Sequence, residues 1–236
     1  MSEDKKPASA RAASVPGYTV ELNLENRLVV IIGGGRTAMR KLPALLAAGA
    51  NIDLIDPAPL SELPSHSQLT HHRRGYQLTD LSAAHLIFAA TDNPQVNSRV
   101  ADDAANLGIL CCRVDRSENS DFSIPARLLR PPLSFSVSTG GESPAMAAVL
   151  RDLLGEMIPP VWQTATELAA AIRRKVLTGQ QQIPYNHQVL LLLVEQGLLE
   201  CLKQADTVGT DRLLLKHFGA GISLKNLQFT LPEGTS

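Results

Sequence analysis

Leu28-Val-Val-Ile-Ile-Gly-Gly-Gly-Arg-Thr-Ala-Met-Arg-Lys41 decides the fold, because a β-branched apolar run breaks into glycines and then into helix-forming sequence. Gly33, Gly35 and Ala38 fit the pattern G-x-G-x-x-G/A. In that pattern the first glycine permits a tight turn, the second lets backbone approach a pyrophosphate, and the small third residue lets helix pack on strand. The helix that begins there offers unpaired N–H groups to the phosphate.

A glycine fingerprint is weak by itself, and the sequence around this one strengthens it. Helical sequence runs from about Thr37 to Ala48, Gly49 closes it, and Asn51-Ile-Asp-Leu-Ile-Asp56 reads as a second short strand ending in a carboxylate. Asp56 lies roughly 20 residues past the glycines, where an acid accepts hydrogen bonds from ribose hydroxyls and repels a 2′-phosphate. The residues that follow, Pro57, Ala58 and Pro59, bring no cation to welcome such a phosphate, so the expectation is NAD over NADP. The competing reading is that Asp56 only caps a loop.

The same rhythm continues. Gln68 to Tyr76 is polar and extended, Ala84 to Thr91 reads as a buried strand, Asn93-Pro94 opens a helix reaching about Asn106, and Ile109 to Val114 is the next strand. This alternation over residues 28–115 predicts an α/β, Rossmann-like parallel sheet whose ligands sit beyond the carboxyl ends of its strands. Three signals gather at that rim: the Gly33–Gly35 loop, Asp56, and Ala89-Ala-Thr-Asp92, where Thr91 places a hydroxyl beside a nicotinamide ribose. Asp115 ends the following strand at the same rim, flanked by Arg113 and Arg116. A carboxylate there takes or holds a proton near the nicotinamide, and the arginines meet acidic groups on a substrate. The plainer alternative is an ion pair between Asp115 and those arginines.

Beyond Asp115 the pattern changes. Asp121 to Arg127 and Leu133 to Thr139 alternate like an antiparallel pair joined by Leu129-Arg-Pro-Pro132. A lone hairpin is marginal, so a partner subunit is expected to cover it, giving a symmetric homodimer. Thr139-Gly-Gly-Glu-Ser-Pro144 then leads into a helix over Ala145 to Met157. The remainder is helical, with Trp162 to Leu177 and His187 to Ala205 as its longest periodic segments and a Leu190, Leu193, Val194, Leu198 face that reads as packed core. The expected organisation is a flexible tail over 1–17, an NAD-binding domain over 18–116, a dimerisation segment over 117–150 and a helical domain over 151–236.

Composition narrows the class further. The chain has 236 residues, 44% of them hydrophobic, and a formal net charge of −1. That leaves no basic field for nucleic acid, and any anionic ligand must be met by local cations. Val189 to Val194 is the longest apolar run, well short of the roughly 20 residues that span a bilayer, and no apolar leader opens the chain. A cytoplasmic protein is expected. The three cysteines make neither a disulfide framework nor a metal pair, and Cys111 and Cys112 read as strand packing. None of the six histidines forms a metal pair on a convincing helix, so no metal is assigned.

Taken together, Gly33-Gly-Gly-x-x-Ala-x-Arg-Lys41, Ala89-Ala-Thr-Asp-x-x-x-Asn97, Val114-Asp115, Phe122 with Ser123-Ile-Pro125, and Ser138-Thr-Gly-Gly-x-Ser-Pro144 resemble an ordered motif set. It is that of the precorrin-2 dehydrogenases, which include the amino-terminal part of bacterial siroheme synthase. The resemblance spans about residues 18–157. It implies oxidation of the tetrapyrrole precorrin-2 to sirohydrochlorin with NAD⁺ as hydride acceptor, and Asp115 matching the family's catalytic aspartate as base or as an orienting group. By the same resemblance Arg36, Thr37, Pro57 and Ala58 touch NAD, while Thr139 and Gly140 lie in the substrate region. Arg113, Arg116 and Arg127 are the expected clamps for the macrocycle's carboxylates. Relatives that also insert ferrous iron leave a bifunctional enzyme as an alternative, and an NAD-sensing regulatory module is the alternative from a different class.

Overall fold

The computed structural model describes residues 17–59, 62–115, 120–178 and 185–232. The tail expected over residues 1–17, Gly17 excepted, and Arg116 lie outside them. The chain divides into two compact units, with the boundary between Ile124 and Pro125.

In the first unit β1 (Leu28–Ile32), β2 (Asn51–Ile55), β3 (Leu69–His72), β4 (Leu86–Ala89) and β5 (Cys111–Arg113) form a five-stranded parallel sheet in the order β3-β2-β1-β4-β5. This is the expected Rossmann-like architecture. Strand side chains alternate between the two faces. Ile31, Leu54, Phe88 and Cys112 meet Ala38, Leu42 and Leu45 of α1 (Arg36–Ala47) on one face, and Ile32, Ile87 and Cys111 meet Val100 and Ala104 of α2 (Pro94–Leu107) on the other. Each such fully buried large side chain contributes about 1.5–3 kcal/mol over exposure. Asn93 caps α2 by accepting from the N–H groups of Gln95 and Val96, with Pro94 in the first turn where no N–H is needed.

One local expectation is sharpened and another corrected. β3 is a strand although its sequence, Leu-Thr-His-His, carries no apolar alternation, because as the edge strand it is paired on one side only and half exposed. Asp121 and Phe122 do not belong to the hairpin. The Phe122 ring stands edge-on to Phe88 at 5.5 Å between centroids, and Asp121 exchanges hydrogen bonds with the backbone of Cys111. Arg113 N–H donates to Ser120 Oγ at 2.8 Å, and Ser120 Oγ donates back to the Arg113 carbonyl, so residues 120–121 close the outer edge of β5. The hairpin strands are therefore β6 (Ala126–Arg130) and β7 (Leu133–Val137), turned at the cis Pro131–Pro132 bond.

Within the second unit the helix α3 (Pro144–Met157) packs on this hairpin, with Leu128 facing Gly155 and Arg130 donating to the Gly155 carbonyl at 2.7 Å. One face of the hairpin is thus covered by the chain itself, which the sequence reading assigned to a partner. The other helices, α4 (Val161–Thr178), α5 (His187–Glu195), α6 (Leu198–Lys203), α7 (Thr207–Phe218) and α8 (Leu224–Leu227), enclose a core of Leu168, Ile172, Leu193, Leu198, Leu202, Leu214 and Phe218. The single helix read over His187 to Ala205 is broken by Gly197, whose φ of +96° a helix cannot contain.

Candidate functional site

Parallel pairing puts the strand ends in register: Ile32 lies beside Ile55 and Ala89, and Ala89 beside Arg113. Gly33, Asp56, Thr91 and Asp115 therefore follow their strands onto one rim, centred on the β1–β4 pair where chain order reverses in the sheet. A crevice at that reversal is the usual ligand position in open α/β sheets.

The glycine loop is shaped by its neighbours. Gly33 has φ +104°, and a Cβ on it would lie 2.5 Å from the Ala90 carbonyl oxygen, so no side chain fits between β1 and β4 here. A Cβ on Gly34 would meet Pro59 at 2.7 Å. Gly35 is open, with nothing nearer than 4.0 Å to its would-be Cβ, and it starts α1 with no side-chain cap and no acidic residue in the first turn. The amino end of α1 therefore faces open space with donors that no side chain takes, which fits a pyrophosphate. Arg36 is exposed and Thr37 half-buried in that first turn.

Asp56 caps its own loop, the competing reading drawn from sequence. Its carboxylate accepts from Gly34 N–H at 2.6 Å and from Ala58 N–H at 2.7 Å, which ties the glycine loop to the turn after β2. A carboxylate offers about four lone-pair sites, so acceptors remain for a ribose. Next to it opens a cavity of about 790 Å³ lined by Pro57, Ala58 and Pro59 together with His66, His71 and Arg73. The residues after Asp56 bring no cation, as read from sequence, but Arg73 just past β3 does, and Glu62 lines the same cavity. That cation is invisible locally because it lies ten or more positions downstream.

Thr91 turns its hydroxyl inward, donating to Asn97 Oδ1 at 2.8 Å and accepting from Asn93 N–H at 3.2 Å. Asp115 is held in a two-point ion pair: Arg113 Nε and one terminal guanidinium nitrogen donate to its two oxygens at 3.2 and 2.8 Å. The Arg113 side chain is only 5% exposed, against 21% for Asp115. Hydrogen bonding and charge from Arg113 hold the Asp115 carboxyl below the usual carboxylate range. The alternative drawn from sequence was an ion pair at the surface. The pair exists, but its arginine is buried and its carboxylate is the half that meets solvent.

Arg127, Thr139 and Gly140 belong to the second unit. Arg127 is on the exposed face of β6, and Thr139 Oγ1 accepts from Ser143 N–H in the turn that starts α3. Arg116 lies outside the described residues. Burial raises the Cys111 thiol to about 12 and also raises Cys112, so both stay protonated packing groups. No group of three or more His, Cys, Asp or Glu able to hold a metal occurs among the described residues, and no helix among them is long and apolar enough to cross a membrane.

These features define a dinucleotide-binding α/β unit, and residues 20–126 match the family model described as putative NAD(P)-binding. Over a longer stretch the chain is similar to siroheme synthases. It is 30% identical to the siroheme synthase of Chromobacterium violaceum over 207 residues, covering 86% of this chain and 44% of that protein. It is 38% identical to that of Methylococcus capsulatus, covering 69% of this chain and 34% of the relative, and 37% identical to siroheme synthase 2 of Aeromonas salmonicida, covering 64% and 32%. The chain thus spans less than half the length of these relatives. Among solved structures it matches "SirC, precorrin-2 dehydrogenase" with a TM-score of 0.67 at 23% identity, covering 85% of this chain and 98% of that one, which shows a shared fold.

Proposed function

We propose that this chain oxidises precorrin-2 to sirohydrochlorin with NAD⁺. The observation that carries the reading is the rim of the first unit, where an uncapped helix start, a ribose-side carboxylate, the Thr91 turn and the fixed carboxylate of Asp115 follow four neighbouring strands. Similarity to siroheme synthases and to a precorrin-2 dehydrogenase fold supplies the substrate class. When bound, NAD⁺ supplies the hydride acceptor; the substrate gives up two electrons and one hydrogen as hydride, and a proton leaves to the medium as the new double bond forms.

The chain's residues bind, orient and balance charge. Gly33, Gly35, Arg36 and Thr37 form the pyrophosphate end, while Asp56, Pro57 and Ala58 form the adenosine end. Thr91 shapes the nicotinamide end through the turn its hydroxyl closes. Asp115 paired with Arg113 is a weak base, so its role is that of a fixed anion accepting hydrogen bonds from the macrocycle's N–H groups. Arg113, buried and committed to Asp115, acts as its positioning residue. Arg127 and the Thr139–Gly140 turn are the second unit's candidates for substrate carboxylates. The stripe Met146, Val149, Leu150, Leu153 and Met157 on α3, each at least 42% exposed, is the surface proposed to join two copies.

Anaerobic incubation with precorrin-2 and NAD⁺ tests the reading. Sirohydrochlorin absorbance and NADH are expected to rise together, faster with NAD⁺ than with NADP⁺, and Asp115→Ala is expected to abolish both. Tight NAD⁺ binding without turnover would overturn the enzyme assignment in favour of a sensor. A parallel arm with ferrous ion reads chelation directly.

A further inference from the structure

Arg73 is the first residue past β3, and the register of the sheet sets it beside Asp56. Ile55 pairs with His72, and Asp56 N–H donates to the His72 carbonyl at 3.2 Å, so the acid and the arginine leave neighbouring strand ends side by side. An adenosine ribose that brings its hydroxyls to Asp56 therefore has the end of β3 as its outer neighbour. The Arg73 side chain is exposed and makes no hydrogen bond or ion pair among the described residues, although Glu62 lines the same cavity. His66 and His71 share that lining. His71 donates Nε2–H to the Asp56 carbonyl at 2.9 Å. His66 accepts Gln68 N–H on Nδ1 at 3.2 Å, which leaves Nε2 to carry a hydrogen with no acceptor among the described residues.

Asp56 itself repels a second phosphate less than a bare carboxylate would. Both of its oxygens already accept a backbone N–H, one from Gly34 at 2.6 Å and the other from Ala58 at 2.7 Å, and these charge-assisted bonds offset part of its charge. The cavity, at about 790 Å³, is of a size that takes a ligand as large as a nucleoside phosphate. Resting on the dinucleotide reading above, we infer that this cavity holds a 2′-phosphate subsite, so that the chain accepts NADP⁺ besides NAD⁺, with Arg73 as the residue that admits it. An arginine offers five donors in a planar fork that matches phosphate oxygens, and it stays charged at any working pH. His66 adds a donor to the same wall. Glu62, the only acid among the described lining residues, is exposed and acts on the phosphate through water, where charge is screened; a guanidinium that donates directly outweighs it. The redox balance is that of NAD⁺, since the 2′-phosphate sits at the adenosine end, away from the ring that accepts hydride.

Calorimetric titration of the full chain with NAD⁺ and with NADP⁺ tests this in the absence of substrate, because the two ligands differ only in the 2′-phosphate. Wild type is expected to bind NADP⁺ within about 10-fold of NAD⁺, where an unanswered acid would weaken it about 100-fold or more. Arg73→Gln, a change at an exposed side chain, is expected to weaken NADP⁺ about 10-fold and NAD⁺ less than about 2-fold. With precorrin-2 added, NADPH should form from NADP⁺, more slowly than NADH forms from NAD⁺. Wild type that binds NAD⁺ but takes NADP⁺ about 100-fold more weakly, an R73Q that loses both ligands alike or neither, or NADH formation without any NADPH, overturns the inference and leaves the NAD⁺-dependent reading standing. Failure of wild type to bind either dinucleotide refutes the cofactor reading and this inference with it. Binding of both without turnover of precorrin-2 refutes the dehydrogenase reading, while the comparison of R73Q with wild type still decides the subsite.

Discussion

Asp115 carries its charge under constraint, and Arg113→Gln exposes what the constraint does. The variant frees a partly exposed carboxylate from its buried partner, costing on the order of 2 kcal/mol because Asp115 keeps some contact with water. It also lifts the Asp115 pKa, so the acid limb of the kcat profile should move to higher pH than in wild type. The linkage runs the same way in stability: a depressed native pKa stabilises fully above the ordinary value of 3.8 and is lost as pH falls through the native value. Urea midpoints measured from pH 6 downward should therefore fall more steeply in wild type than in R113Q. Asp80, lowered chiefly by its hydrogen bond from Arg74, adds to the same acid sensitivity. Gly33→Ala is the residue test of the cofactor loop. Its positive φ and the 2.5 Å approach to Ala90 oxygen predict a loss of about 1–3 kcal/mol and of NAD⁺ binding in calorimetry.

At the scale of elements, α2 carries Asn97 and is started by Asn93, so Asn93→Ala should cost about 1 kcal/mol of stability and lower kcat more than it weakens substrate binding. Steady-state kinetics beside a denaturant titration separates the two effects. How far each element could be read depended on where its information sits. β1, α1 and β2 were legible because the apolar run, the glycines and the capping Gly49 are contiguous. β3 was read only as part of an extended polar segment, since an edge strand needs no apolar alternation and its pairing with β2 is a long-range fact. The hairpin's second strand was read from its true start at Leu133, but the first was begun five residues early because Phe122 reads as part of an alternating segment, whereas its ring packs against Phe88. In the site, Gly33, Asp56 and Asp115 followed from strand-end logic. Asn97 had no legible role, because nothing local says that its amide turns back to bond the Thr91 backbone and hydroxyl. The ion pair was foreseen as an alternative; its burial was not.

For the molecule as a whole, the exposed stripe on α3 predicts self-association. Analytical ultracentrifugation at micromolar concentration should find wild type dimeric, and Leu153→Glu, which sets a charge in the middle of the stripe without touching a buried residue, should be monomeric with unchanged circular dichroism. A monomeric wild type would remove that proposal. The sheet itself offers less to a partner than its five strands suggest. Along the far side of β5 the main-chain groups of Cys111 and Arg113 are already spoken for by Asp121 and Ser120, which leaves no template on which another molecule's backbone can zip. Growth by strand addition is shut off on that flank next to the reactive rim. On that flank copies of this chain can meet only through side chains, and crowding in the cell finds no sticky border there from which a fibril could start.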